Sequence, residues 1–281
     1  MNEVEKGTLY VVGTPIGNLE ELSPRAVKTL SDVDLFLCED CRRTLGLLNA
    51  FGIAKPLRAH HKFNEKATVD GITAELSSGK SVALVSDAGM PCVSDPGHLL
   101  VEACRERGIP VSVVSGPCAA VDALVLSGLD STRFCFVGFL PERTRDRKKL
   151  LQDFSRVPAT LIFYIAPHRL NEDLADLYFG LGARQAALVR EITKLHEETV
   201  KFTLCEKPDF VPRGEYVVVV EGAGELPDEM LSLSVEEHLA AVIASGADEK
   251  TAVKQVASAR GLPKNDVYKL TVKDRKNGSE S

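Results

Sequence analysis

The stretch Ser81–Gly97, SVALVSDAGMPCVSDPG, constrains the fold more than any other part of the chain. Val82-Ala83-Leu84-Val85 is a short apolar run of the kind that forms a strand buried on both faces. It breaks into Ser86-Asp87-Ala88-Gly89-Met90-Pro91, where Gly89 allows the backbone to come close to a ligand. Asp95-Pro96 then offers a capping side chain and a fixed φ for the first turn of a helix. Ligands of open α/β sheets bind beyond the carboxyl ends of the strands, so this loop is a candidate floor of a binding site. A tight turn holding no ligand has the same composition.

The neighbouring sequence repeats the alternation. Leu9–Val12, Val33–Cys38, Leu57–His61 and Pro110–Val114 read as further strands, and Pro24 onward, Arg42–Phe51, Glu65–Ser78 and His98–Arg107 as helices. Strands alternating with helices predict a mainly parallel sheet covered on both faces. Gly13-Thr14-Pro15-Ile16-Gly17-Asn18 leaves the first strand without the spacing of a dinucleotide fingerprint. In the second half, Phe134–Phe139, Thr160–Ile165, Gln185–Ile192, Val200–Leu204 and Glu215–Val220 cluster with fewer helices between them, which predicts a mixed sheet. Beyond a linker at Gly222–Asp228, Ser234–Ser245, Asp248–Ala259 and Pro263–Leu270 read as three short helices punctuated by Gly246 and Gly261. Their spacing is that of a small helix-turn-helix unit. The expected division is therefore an α/β domain over 1–125, a second α/β domain over 126–224 and a helical unit over 232–281.

Charge and cysteine usage narrow the function. The formal net charge is −6 over 281 residues, yet the stretch from Lys250 onward carries a surplus of five positives, leaving −11 on the rest. Seven scattered cysteines fit reduced thiols in a cytosol. In Cys38-Glu39-Asp40-Cys41 two carboxylates disfavour a reactive thiolate, and no second pair completes a zinc site, so no metal is expected. The longest apolar runs are too short to span a bilayer and the first residues lack a signal region, which predicts a cytoplasmic protein without membrane contact.

Several separated stretches together resemble one family. Gly13-Thr14-Pro15-Ile16-Gly17-Asn18-Leu19, Cys38-Glu39-Asp40, Ser86-Asp87-Ala88-Gly89 with Pro91, Ser94-Asp95-Pro96-Gly97, Gly138-Phe139-Leu140-Pro141, Pro167-His168-Arg169-Leu170 and Arg190-Glu191-Ile192-Thr193-Lys194 are similar to the bacterial 16S rRNA (cytidine-2′-O)-methyltransferases of the tetrapyrrole-methylase-like superfamily. The resemblance implies two α/β domains with the cofactor cleft between them, and a dimeric cytoplasmic enzyme. It further implies S-adenosylmethionine as cofactor and 16S rRNA of the small ribosomal subunit as partner. This chain departs from the pattern at Cys41 and Met90, where the family usually has Thr. It departs also at Ser115, usually Pro, and at Ile165, usually Glu.

By that resemblance Thr14, Pro15, Asp87, Ala88, Gly89, Cys118 and Ala119 are the cofactor-binding positions. Transfer of a methyl to an alcohol oxygen gains from a base, and the polar candidates are Glu39, Asp40, His61, Glu65, Glu191 and Lys194. Each has a structural reading too: Glu39-Asp40 as a helix cap, His61 as a surface group, Glu191 and Lys194 as an ion-paired wall. Arg42, Arg43, Arg143, Arg145, Arg147, Lys148 and Lys149 are candidate phosphate contacts, which position RNA without reading its bases. Two alternatives remain: methylation of a small tetrapyrrole or corrinoid precursor, and a non-catalytic ribosome-binding relative. The basic Arg143–Lys149 segment and the C-terminal helices argue against a small substrate.

Overall fold

Leu9 and Val11 point to one face of their strand and Tyr10 and Val12 to the other, and all four are buried. That pattern belongs to a parallel sheet covered on both sides. A computed structural model describes residues 3–206, 208, 210, 213–224, 233–244, 247–260 and 262–269. In it β1 (Leu9–Val12), β2 (Leu35–Cys38), β3 (Leu57–Ala59), β4 (Val82–Leu84) and β5 (Val111–Val114) form a sheet of order β3-β2-β4-β1-β5. Every neighbouring pair is parallel.

Four helices cover this sheet: α1 (Pro24–Asp32), α2 (Cys41–Ala50), α3 (Glu65–Ser77) and α4 (His98–Glu106). Ala26, Leu30 and Leu48 pack α1 and α2 on the Tyr10–Val12 face. Ile72, Leu76, Leu100 and Cys104 pack α3 and α4 on the Leu9–Val11 face. Each fully buried leucine among them contributes about 1.5–3 kcal/mol relative to exposure. Ser23 and Pro24 start α1 as expected, with Ser23 Oγ accepting from Ala26 N–H. The expected start of α4 at His98 is borne out, and its expected cap is corrected. The helix begins behind Gly97, whose φ of 128° suits glycine alone, and the carboxylate of Glu65 from α3 caps it in place of Asp95.

The second sheet contains β6 (Phe134–Phe139), β7 (Thr160–Ile165), β8 (Gln185–Arg190), β9 (Glu198–Thr203) and β10 (Tyr216–Val220), in the order β6-β7-β10-β8-β9. It is mixed: β6 and β7 are parallel and the other pairs antiparallel. The helix α5 (Ala119–Ser127) lays Ala120, Ala123 and Leu124 on Ile162, Val189, Val217 and Val219 of this sheet. The expected boundary at 125/126 thus falls inside a helix that follows the first sheet in sequence and packs on the second. α6 (Thr144–Phe154) and α7 (Leu170–Leu181) complete the alternation.

Both sheets lie in one compact unit, residues 1–151 with 159–221, and residues 152–158 with 222–281 form another. In the latter, α8 (Val235–Ala244), α9 (Glu249–Arg260) and a helical segment at 264–269 share a core of Leu239, Val253, Val256 and Val267. Ser234 and Glu237 form a reciprocal capping box at the start of α8. Ser245, Gly246, Gly261, Leu270 and residues 225–232, which include all of the expected Gly222–Asp228 linker beyond residue 224, lie outside the described residues. Among the described residues no helix is long and apolar enough to cross a membrane.

Candidate active site at the carboxyl edge of the parallel sheet

Because all five strands of the first sheet run the same way, the loops after each of them emerge at one edge. Segments distant in sequence meet there: Gly13–Asn18, Glu39-Asp40, His60–Asn64, Val85–Gly97 and Ser115–Cys118. Thr14 and Gly89 join the first and fourth loops by exchanging backbone hydrogen bonds of 2.9 and 3.0 Å. The buried Thr14 hydroxyl donates to the Ser86 carbonyl oxygen at 3.2 Å. Thr14 and Gly89 therefore offer a ligand shape, since their N–H groups serve each other. Gly13 and Gly116 join the first and fifth loops: a Cβ on Gly13 would lie 2.7 Å from Gly116 Cα. Pro15, Ala88, Cys118 and Ala119 stand at this edge with partial or full exposure.

Asp87 has two partners. Its Oδ1 accepts from the Asp40 N–H at 3.0 Å, and its Oδ2 lies 3.3 Å from Arg43 Nη1. Asp40 is the cap of α2, accepting from Arg42 N–H at 2.8 Å, and the Arg42 guanidinium beside it holds its carboxyl below the ordinary carboxylate value. Asp40 is thus the helix cap, engaged with Arg42, and a poor proton acceptor.

The structure adds a carboxyl that the sequence reading had placed in a cap. Burial, reinforced by the charges of Glu39 and Asp87, raises Asp95 to about 6, against a hydrogen bond with Ser86. A carboxyl at that value is ionised at neutral pH and remains a competent proton acceptor. Tyr164, also absent from the sequence reading, reaches this region from the second sheet. Its hydroxyl accepts from the Ala120 N–H at the start of α5, its ring meets Phe136 edge-on at 4.9 Å, and burial raises it to about 12. A tyrosine inside a strand that alternates with buried aliphatics carries no signal separating core from cleft. Ile165, its neighbour, is buried.

The loop after β8 supplies the wall. Lys194 Nζ sits 3.0 Å from Glu191 Oε1 and 2.9 Å from Glu215 Oε2. Glu191 also accepts from Glu215 N–H at 3.0 Å. Burial acts to raise Glu191, but these hydrogen bonds and the charges of Lys194 and Arg190 outweigh it, so Glu191 lies below its ordinary value. Burial acts to lower Lys194, and its two carboxylate partners outweigh that and raise it. Both are engaged in this ion-paired cluster, the structural reading given for them, and the Lys194 stem packs against Gly17 of the first loop. Glu191 and Thr193 carry positive φ of 50° and 67°, as do Cys92 and Ser94 at 69° and 66° in the loop after β4. Non-glycine residues with positive φ thus fall in two of the loops, and such backbone clusters at functional sites.

The remaining predicted residues separate. His60 is fully buried and bonded to Thr68 Oγ1 at 2.9 Å, while His61 is half-buried beside Phe63, which is 95% exposed. Arg42, Arg43, Arg143, Arg145, Lys148 and Lys149 are exposed. Arg147 corrects the expectation of a phosphate contact. It turns inward from α6 to Asp176 at 2.6 Å, Glu172 at 2.8 Å and the Pro141 carbonyl oxygen at 3.2 Å, so its charge is spent internally.

A cavity of about 450 Å³ is lined by Gly116 and Pro117 of the fifth loop, by Ile192 and Thr193 between Glu191 and Lys194, and by Glu21, Asp122 and Glu197, though by none of the predicted site residues themselves. Burial raises both Glu21 and Asp122 there. Among the described residues no group of His, Cys, Asp and Glu is arranged to hold a metal ion. At the carboxyl edge, exposed Ala88 and half-buried Pro15, Cys118 and Ala119 are small, largely apolar surfaces of the kind a flat base packs on. Asp87, Asp95 and Glu39 suit ribose hydroxyls and the ammonium of a zwitterionic amino-acid end. That donor set fits S-adenosylmethionine.

The fold and this site define a class. The Tetrapyrrole (Corrin/Porphyrin) Methylases profile matches residues 8–208, and the chain belongs to that family. The chain is 44% identical over 274 residues to the Ribosomal RNA small subunit methyltransferase I of Halalkalibacterium halodurans, covering 95% of each protein. It is 40% identical over 273 residues to the protein of the same name from Bacillus subtilis, covering 94% of each. Solved structures share the fold: diphthine synthase (TM-score 0.59, 14% identity, 76% of this chain and 89% of that one) and the uroporphyrin-III-C-methyltransferase of Thermus thermophilus (0.54, 23%, 76% and 94%).

Proposed function

We propose that this protein methylates the ribose 2′-hydroxyl of a cytidine in 16S rRNA of the small ribosomal subunit, using S-adenosylmethionine, in the cytoplasm and as a homodimer. The observation that carries this reading is the end-to-end similarity to proteins named ribosomal RNA small subunit methyltransferase I. The cofactor supplies an electrophilic methyl group when bound. The protein's share is then chiefly positioning. Pro15, Ala88, Cys118 and Ala119 would line the cofactor, with Thr14 and Gly89 fixing the spacing of its loops and Asp87 holding the second and fourth loops together. The carboxylate pair Glu39 and Asp95 receives the hydroxyl proton.

Arg143, Arg145, Lys148 and Lys149 on or beside α6 supply phosphate contacts, and exposed Phe63 offers a stacking surface for an unpaired base. Val113 on the edge strand β5 and Val121 and Val125 on α5, all exposed, support pairing with a second copy. The test is incubation of purified small subunits with labelled cofactor, followed by mapping of the label. Label in a cytidine ribose is expected. Label in a base, or transfer only to a tetrapyrrole precursor, would overturn the proposal.

A further inference from the structure

Cys38 closes β2 and Cys41 opens α2, and the turn between them brings their Sγ atoms to 3.1 Å. A disulfide bond is about 2.05 Å long, so closure needs a movement of roughly one ångström. Of the two carboxylates between the thiols, Asp40 is turned to Arg42 and the α2 backbone and does not stand between the sulfurs. The two sulfurs differ in access: Cys38 is buried and Cys41 half-buried.

We propose that Cys38 and Cys41 form a reversible disulfide by exchange with a small-molecule disulfide, and that this bond weakens the loop contact made by Asp87. In the first step Cys41, the accessible sulfur, loses its proton and attacks the reagent, forming a mixed disulfide and releasing one thiol. In the second, Cys38 loses its proton and attacks the Cys41 sulfur, releasing the second thiol. Two protein thiols and one reagent disulfide become one protein disulfide and two reagent thiols. Burial first, then the neighbouring Cys41, pushes the Cys38 thiol up to about 12, which slows the second step at neutral pH; what favours that step is the 3.1 Å approach of the two sulfurs, which makes the attack intramolecular.

The consequence follows from Asp40, one of the two residues between them. The Asp40 N–H, in the residue joined to Cys41 and two residues after Cys38, donates to Asp87 Oδ1 at 3.0 Å. Drawing the sulfurs together turns this segment and displaces that donor. The effect on cofactor affinity rests on the proposed role of the Asp87–Gly89 loop; the sulfur chemistry does not.

The test exposes the full-length reduced protein to graded ratios of oxidised to reduced glutathione, then alkylates free thiols and weighs the peptides. The expected result is a Cys38–Cys41 peptide that loses two hydrogens and two alkylation sites, and regains both with dithiothreitol. Calorimetry of the oxidised protein is expected to show cofactor affinity reduced about fivefold, the scale of one lost hydrogen bond. Cys41→Ser is expected to bind cofactor like the reduced protein and to ignore the oxidant. Both thiols staying alkylatable while exposed Cys205 is modified, or a mixed disulfide persisting on Cys41, would overturn the proposal. A disulfide with unchanged affinity would overturn its coupling to the loop. Should the reduced protein bind no cofactor, the functional reading fails while the peptide masses still decide the sulfur chemistry.

Discussion

Glu65 caps a helix to which it does not belong. Its Oε1 accepts from Gly97 N–H at 2.7 Å and from Leu99 N–H at 3.3 Å, so a buried carboxylate at the head of α3 holds the first turn of α4. It also fixes the end of the loop that carries Asp87 and Asp95. A charged acceptor bonded to backbone N–H groups at a helix start contributes more than a neutral one. Glu65→Ala is expected to cost about 2–3 kcal/mol, seen as a lower denaturation midpoint with unchanged m-value. Glu65→Gln keeps an acceptor and is expected to lose less than half as much. Equal stability of the alanine variant and the parent would show that the cap is dispensable.

Asp95 should separate stability from activity. Its folded value of about 6 lies above its ordinary 3.8. The folded state therefore binds its proton more tightly, and this contribution to stability is full below about pH 3.8 and lost as pH rises through 6. At neutral pH the protein bears the cost of the buried charge. Asp95→Asn is expected to gain about 1–2 kcal/mol near pH 7.5, discounted for partial solvent contact, and little near pH 4. Loss of the proton acceptor is expected to slow methyl transfer about 100-fold. Thermal melts at the two pH values and single-turnover rates check both halves. Full turnover by the stabilised variant would remove Asp95 from the chemistry.

Neighbouring arginines on α6 are expected to fail in different ways. Arg147 is buried between Asp176 and Glu172, and Arg147→Ala leaves carboxylates without their partner, at a cost of about 3–5 kcal/mol. Arg145 is exposed, and Arg145→Ala is expected to leave the melting temperature within about 2 °C. The same change should weaken small-subunit binding and make its salt slope shallower by about one. Denaturation and salt-dependent binding, measured on both variants, give the contrast. A destabilised Arg145→Ala protein would contradict it.

These residues also show which parts of the molecule the sequence makes legible. The strands of the first sheet are readable because burial on both faces forces unbroken apolar runs such as Leu9–Val12 and Val82–Leu84. Their parallel order follows from the helices between them, and with it the gathering of loops at one edge. Local grammar favours Asp95-Pro96 as the cap, while the cap that prevails comes from Glu65, distant in sequence. Arg147 could not be told from Arg145 by period alone. Which arginine turns inward depends on Glu172 and Asp176, and those are placed by α7. Asp40 and Asp87 are separately legible as loop carboxylates, but their mutual hydrogen bond exists only through the β2–β4 pairing.

Gly116 tests the shape of the site itself. A Cβ there would lie 2.8 Å from the Gly13 Cα and carbonyl carbon, and these are backbone atoms that cannot rotate away. Gly116→Ala must therefore push the first and fifth loops apart, at about 1–3 kcal/mol of overpacking. The same separation should open the surface that Pro15, Cys118 and Ala119 line, so cofactor affinity is expected to fall along with stability. Gly46 provides the control. It lies inside α2 with nothing within 4 Å of an added Cβ, and Gly46→Ala is expected to stabilise the protein by about 0.5–1 kcal/mol with cofactor binding unchanged. Calorimetric titration and thermal melts of the two variants decide the matter. If Gly116→Ala binds cofactor as well as the parent, the contact between the first and fifth loops does not shape the methyl-donor site.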